Sequence, residues 1–142
     1  QRKKGWEDAM KMAGYQANDF MWAQGNWSPK SGRTAFFELI SKCPEMDGIF
    51  VGNDQMALSV LQASLEIGKK IPQDFSVIGF DGIADSEFYC PALSTVYQNQ
   101  DELGRVAVAE LASQIEQKLE KSINVEPKYI KIQPELIIRQ SS

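Results

Sequence analysis

The sequence predicts an α/β domain in which a parallel sheet is flanked by helices. Short apolar runs that suit strands alternate along the chain with segments whose apolar residues recur every three or four positions. The central run, Ile49 to Val51, is too short for a helix and apolar throughout, which predicts a strand buried on both faces. Polar Asn53 and Asp54 follow it, and a helical pattern begins there. Open α/β sheets bind ligands at the carboxyl ends of their strands, so the sequence predicts a ligand site at that edge of the sheet.

The elements before this strand are predicted to be a helix, a short strand and a second helix. Residues 3–14 carry apolar residues at spacings of three and four and end at a glycine, which is typical of an amphipathic helix; the apolar residues are Trp6, Ala9, Met10 and Ala13. Residues 19–23 form the predicted short strand. Ser28 before Pro29 is a favourable cap and first-turn pair, so the second helix is expected from residue 29 to about 41.

The elements after the central strand continue the alternation. A helix is predicted over residues 54–67, a turn at 71–74, a buried strand over 75–80 that ends in Asp81, and an irregular acidic and aromatic segment over 82–93. A strand over 94–97 then leads to the longest helix, residues 101–121. Two final strands are predicted over 129–132 and 135–138, the first near a sheet edge because its apolar residues alternate.

Composition excludes several classes of function. The chain has 142 residues, enough for a hydrophobic core. Its net charge of −4 is unfavourable for direct binding to nucleic acid. No apolar run approaches the roughly 20 residues of a membrane span. Catalysis has little support because the chain lacks histidine and any nucleophile, phosphate-loop or zinc motif. No metal and no cofactor are expected.

The two cysteines indicate a reducing compartment. Cys43 and Cys90 lie far apart in sequence, and their spacing is unlike that of metal ligands. We therefore expect free thiols and a cytoplasmic protein.

Polar or aromatic residues follow several predicted strands, where loops open onto one edge of the sheet; they are Trp27, Asn53, Asp54, Asp81 and Gln98. Amides donate and accept hydrogen bonds, a carboxylate accepts from paired hydroxyls, and an indole covers the apolar side of a sugar ring. This mixture predicts a site for a polyhydroxylated small molecule. Structural alternatives stay open: Asn53 or Asp54 as a helix cap, Asp81 as a turn residue, and Trp27 as a packing aromatic.

Five motifs in order along the chain resemble the effector-binding core of LacI/GalR-family bacterial transcription repressors. They are Arg2-x-x-Gly5-Trp6, Trp27-Ser28-x-x-Ser31-Gly32, Val51-x-Asn53-Asp54-Gln55-Met56-Ala57-Leu58, Val77-Ile78-Gly79-Phe80-Asp81 and Pro91-x-Leu93-Ser94-Thr95-Val96-x-Gln98. The closing Pro134-Glu135-Leu136-Ile137-Ile138-Arg139-x-Ser141 is also similar to that family's last strand and tail.

This resemblance implies a type I periplasmic-binding-protein-like fold of two α/β lobes around a cleft, of which the chain holds mainly the C-terminal lobe. Residues 1–97 and 128–142 would belong to that lobe, and 99–126 would be a crossover helix of the otherwise missing N-terminal lobe. By motif, the implied ligand-binding residues are Arg2, Trp27, Asn53, Asp81 and Gln98. Gln100 stands where several relatives place an aromatic residue, which leaves the ligand class open.

The resemblance also implies partners. A small-molecule effector, in the first place a sugar, would modulate operator binding. The operator would be bound by a helix-turn-helix headpiece that this chain lacks, and we expect the chain to start inside a larger protein. A homodimer is expected through residues 56–65 and the segment at Phe88, Tyr89 and Cys90. Two alternatives are a periplasmic sugar-binding receptor of a transporter, which shares the fold and pocket, and an enzyme on the same scaffold.

Overall fold

The computed structural model describes residues 2–121 and 129–142. Its helices are α1 (Arg2–Met12), α2 (Pro29–Lys42), α3 (Asp54–Glu66) and α4 (Gln100–Lys121), with 3₁₀ turns at Asp19–Met21 and Ala84–Phe88. Its strands are β1 (Gly48–Phe50), β2 (Ser76–Asp81), β3 (Ser94–Tyr97) and β4 (Glu135–Ile137). The strands form one sheet in the order β1-β2-β3-β4, and β1, β2 and β3 are parallel.

The chain divides into two compact units. The first comprises Gln1–Tyr97 and Leu136–Ser142, and the second comprises Gln98–Glu135. Assignment of the units to two lobes of a larger protein stays a prediction.

The core of the first unit lies between helices α2 and α3 and one face of the sheet. Its buried apolar residues are Phe36, Ile49, Val51, Met56, Ala57, Val60, Leu61, Ala63, Phe75, Val77 and Leu93. α2 approaches α3 closely at Gly32, where an added Cβ would lie 2.7 Å from the carbonyl oxygen of Met56. Only glycine fits this helix crossing without moving backbone.

The tail joins the amino ends of β2 and β3. The Ser141 hydroxyl donates to the Val77 carbonyl at 2.6 Å and accepts from the Ser94 amide at 2.8 Å. One Arg139 nitrogen donates to the Leu93 carbonyl at 2.7 Å. These bonds satisfy buried backbone groups that would otherwise cost free energy, so the tail is part of this unit's structure.

Two predicted strands are wrong. Over residues 19–23 the chain forms a 3₁₀ turn, because the Met21 amide bonds back to the Asn18 carbonyl at 3.0 Å rather than to a neighbouring strand. Residues 129–132 form no strand, since alternating apolar residues make one only where a partner strand offers ladder bonds, and the described residues supply none for them.

The prediction that β1 is buried on both faces is also wrong. Phe50 of β1 is 39% exposed, because α2 and α3 cover only the sheet face that carries Ile49. No residue of α1 is buried; Trp6 and Met10 are half-buried, whereas Ala9 and Ala13 are exposed. Helical spacing identifies an apolar face but does not say how completely other elements cover it.

Candidate functional site

Arg2, in the first turn of α1, is the centre of the candidate site. One guanidinium nitrogen donates to Oδ1 of Asp81 at 2.8 Å, and another donates to the Gly52 carbonyl. The guanidinium carbon lies 4.0 Å from the ring centroid of Phe80 and 5.2 Å from that of Trp27. Such cation–π contacts hold a planar cation over aromatic faces, so Arg2 links the ends of β1 and β2 to the loop that carries Trp27.

Asp81 ends β2 in an unusual backbone conformation. Its φ is 111°, and Gly82 follows with a φ of 73°. Positive φ is unfavourable for a residue with a Cβ and marks positions where surrounding contacts hold the chain. The side chains of Asp81 and Arg2 are 22% and 30% exposed, so the ion pair is only partly shielded from solvent.

Trp27 presents an indole that is 59% exposed. Its φ of 72° also places it in the left-handed region. The Trp27 carbonyl accepts a hydrogen bond from Nδ2 of Asn53 at 3.0 Å, which fastens this loop to the start of α3. An exposed aromatic face beside a guanidinium is suited to stacking on the apolar face of a ligand.

Asn53 is the N-cap of α3. Its Oδ1 accepts from the Met56 amide at 3.0 Å, and its Nδ2 donates to the Trp27 carbonyl and to Oε1 of Gln55 at 3.1 Å. The side chain is thus engaged within the protein, and the residue is 4% exposed. Contact with a ligand would require exchange of the bond to the exposed Gln55 side chain.

Asp54, predicted to be a helix cap or a ligand contact, is fully buried. Its Oδ2 accepts from the amides of Gly82 and Ile83, each at 2.9 Å, and its Oδ1 accepts from the Thr95 hydroxyl at 2.6 Å. Gly79 leaves the space that the carboxylate fills. The carboxylate therefore joins the start of α3 to the turn after Asp81.

Burial makes Asp54 a source of pH-dependent stability. Desolvation raises the pKa of its carboxyl above the ordinary value of 3.8; its hydrogen bonds to Thr95, Ile83 and Gly82 oppose this, and the charge of Asp81 adds to the rise. The folded protein therefore binds this proton more tightly than the unfolded chain does. The resulting stability is fully present below pH 3.8 and is lost as pH rises through the folded pKa.

We expect wild type to lose stability relative to Asp54→Asn, which cannot titrate, as pH rises across this window. Urea unfolding of both proteins from acid to neutral pH measures the difference. A difference in unfolding free energy that stays constant, or grows in favour of wild type, would contradict the expectation.

The structure brings Arg2, Trp27, Asn53 and Asp81 together. Asn53 follows β1 and Asp81 is the last residue of β2, and these strands are adjacent and parallel, so the two residues lie at one edge of the sheet as expected. Gln98 directly follows β3, is half-buried and begins the second unit. Their roles as ligand contacts stay a prediction.

Sequence reasoning missed Phe80, the Gly52 carbonyl and the role of Asp54. The one signal for Phe80 was its place beside Asp81 at the end of a predicted strand. The other two had no sequence signal, because they depend on contacts between residues far apart in the chain.

Comparison with known proteins identifies the family. A model described as a periplasmic binding protein-like domain matches residues 1–142. The chain is 34% identical to the HTH-type transcriptional repressor PurR of Serratia proteamaculans and 36% identical to that of Salmonella arizonae, each over 140 residues. Both matches cover 99% of this chain and 40% of the relative. The chain thus spans about two-fifths of the length of these curated relatives.

Solved structures give the same relationship. The transcriptional regulator CelR in complex with cellobiose superposes with a TM-score of 0.87 at 26% identity, over 99% of this chain and 42% of that one. The Escherichia coli transcriptional repressor ascG gives 0.81 at 31% identity, over 99% and 49%. A sugar-binding LacI-family regulator from Escherichia coli, complexed with phosphate, gives 0.83 at 29%, over 99% and 48%.

These relatives are transcription regulators rather than enzymes. Among the described residues, no helix has both the length and the apolar character that crossing a membrane requires. The chain belongs to the periplasmic binding protein-like domain family, and both the resemblance to the effector-binding core of LacI-family regulators and the predicted α/β fold of mostly parallel strands flanked by helices are confirmed.

Proposed function

We propose that this chain is the ligand-sensing and dimerisation part of a LacI/GalR-type transcriptional regulator, in which a sugar or related small effector modulates operator binding. The observation that carries the proposal is the partly exposed Arg2–Asp81 pair beside the Trp27 indole, at the carboxyl edge of the parallel strands. The named relatives are regulators, which favours this function over a transporter's periplasmic receptor.

Each side chain has a distinct role in the proposed site. Asp81 accepts hydrogen bonds from paired hydroxyls, Arg2 donates to hydroxyl oxygens, and Trp27 stacks on the apolar face of the ring. Gln98 adds a donor and an acceptor. Asn53 holds the Trp27 loop and contributes its amide once Gln55 releases it.

Charge within the site supports a ligand with no large net charge. Asp81 lies 2.8 Å from Arg2, so the pair is close to neutral as a unit. Two of the similar solved structures contain the disaccharides cellobiose and lactose. The panel of test compounds therefore begins with disaccharides and extends to sugar phosphates, nucleosides and purines.

The test is a thermal-shift screen of the intact protein against this panel. At least one compound is expected to raise the melting temperature, since a ligand at roughly 100 times its dissociation constant adds about 2.7 kcal/mol of stability. Buffer without added compound is the baseline. If no compound stabilises the protein, the proposed sensing function is wrong.

The effector would act by differential affinity for two arrangements of the lobes. Closure around the effector would change the spacing of distant DNA-binding heads, so that effector and operator affinities become coupled. Operator contact would come from a helix-turn-helix headpiece outside this chain, in keeping with the relatives' description as HTH-type repressors and with the chain's net charge of −4. We place the protein in the cytoplasm, where operator DNA is.

The second unit fits the proposed crossover to another lobe. Along α4, Leu103, Leu111 and Ile115 are each more than half exposed, while Val106 is half-buried. Exposed apolar residues at helical spacing are typical of a helix that packs on a further element.

A homodimer is the proposed assembly. Within the expected interface, Phe88 is 79% exposed and Cys90 is exposed, whereas α3 offers mainly Gln62 and Leu65 because most of residues 56–64 are buried. Equilibrium sedimentation of the intact protein tests this, and a monomer at micromolar concentration would contradict it.

A further inference from the structure

The buried carboxylate of Asp54 has no access to a ligand, yet two of its three partners directly follow Asp81 of the proposed site. Asp54 is fully buried and begins α3, directly after the Asn53 cap. Its three hydrogen bonds reach the turn after β2 and the middle of β3. A carboxylate with these contacts ties three elements together at the edge of the sheet where Asp81 lies.

The two backbone amides that Asp54 accepts from belong to the residues immediately after Asp81. Gly82 and Ile83 each donate to the same oxygen at 2.9 Å. Asp81 and Gly82 both have positive φ, at 111° and 73°. Because such a conformation is unfavourable for aspartate, contacts to the following amides are needed to hold it.

The third bond fixes the carboxylate against the neighbouring strand. Thr95 lies opposite Gly79 in the register of β2 and β3, and its hydroxyl donates to the other carboxylate oxygen at 2.6 Å. A Cβ on Gly79 would collide with that same oxygen. The position of the carboxylate is thus fixed by the space at Gly79 and by the Thr95 hydroxyl. The carboxylate in turn fixes the backbone at Gly82 and Ile83.

We propose that Asp54 is a positioning residue for effector binding: it fixes the turn at Gly82 and Ile83 and so holds the Asp81 carboxylate where Arg2 and the effector meet it. This inference rests on the proposed sensing function and adds to it a residue that never touches the effector. The turn contacts are the geometric basis, and the ion pair is what they orient.

The test compares three variants of the intact protein with wild type. Asp54→Ala removes all three bonds. Asp54→Asn keeps an oxygen for the two amides and an NH₂ that can donate to the Thr95 hydroxyl. Ser141→Ala is the matched control, because it removes two buried hydrogen bonds from the same strands at their amino ends, away from the site. If Asp54→Ala does not accumulate folded, Thr95→Val replaces it: this variant removes the bond that fixes the carboxylate against β3, so smaller changes of the same sign in binding and exchange are expected, and no change in either would overturn the inference.

Two quantities are measured: the dissociation constant of cellobiose, or of the panel compound that most stabilises wild type, and amide hydrogen exchange at residues 81–83. We expect Asp54→Ala to weaken binding about 10-fold or more and to speed exchange at these residues, as loss of a supporting contact does at other sites. Asp54→Asn should restore both quantities. Ser141→Ala should lower the melting temperature without changing either.

Unchanged exchange at residues 81–83 in Asp54→Ala would overturn the inference. So would faster exchange with unchanged affinity, since Asp54 would then stabilise the fold without positioning the site. If no panel compound binds wild type, the proposed function fails, and the exchange measurement still decides whether Asp54 holds the turn.

Discussion

Asp81→Ala is expected to abolish stabilisation of the intact protein by its effector while leaving the fold in place. A carboxylate that accepts from two hydroxyls contributes about 1.5 to 3 kcal/mol per bond, so affinity should fall about 100-fold or more. The cost to stability should be no more than about 1 kcal/mol, because the ion pair with Arg2 is partly exposed. Calorimetric titration and thermal unfolding of the same preparation separate the two effects.

Two companion variants make this result specific. Asp81→Asn tolerates the positive φ about as well as aspartate but lacks the charge, so it should keep the fold and still lose most of the binding. Asp85→Ala removes an exposed carboxylate from the 3₁₀ turn that follows and should leave binding unchanged. Loss of folding in Asp81→Ala would instead support the alternative that Asp81 is a turn residue.

Gly79→Ala is expected to destabilise the first unit strongly. An added Cβ would fall on an oxygen of the buried Asp54 carboxylate and 2.8 Å from Cδ2 of Leu93. The carboxylate would have to move away from donors on the turn and on β3, so we expect a loss of about 3 kcal/mol or more, at or beyond the upper end for overpacked cores. Chemical denaturation measures it.

Gly5→Ala is the matched control for that substitution. Gly5 lies in α1, and a Cβ there would have no heavy atom within 4 Å. Alanine in an open helical position should leave stability unchanged or raise it by up to about 1 kcal/mol. If Gly79→Ala were as harmless as Gly5→Ala, the tight placement of the Asp54 carboxylate would be wrong.

Local patterns in the sequence were sufficient for most elements of the fold. Three parallel strands and the three later helices lie where apolar periodicity placed them, because strand and helix periods are properties of neighbouring residues. The same patterns failed at residues 19–23 and 129–132, where a strand depends on a partner that the local sequence does not specify. They also overstated the burial of β1, where Phe50 is 39% exposed, since coverage of a sheet face depends on what packs against it.

The candidate site divides in the same way. By itself the sequence determined that polar and aromatic residues follow the strands at one edge, and its motifs determined the family. Only the tertiary structure decided between Asn53 and Asp54: Asn53 caps α3, whereas Asp54 turns inward to Thr95 and to the turn at Gly82. A local pattern cannot distinguish two adjacent polar residues. The two residues differ in their roles because Asp54 bonds to groups 28 and 41 positions away in the sequence.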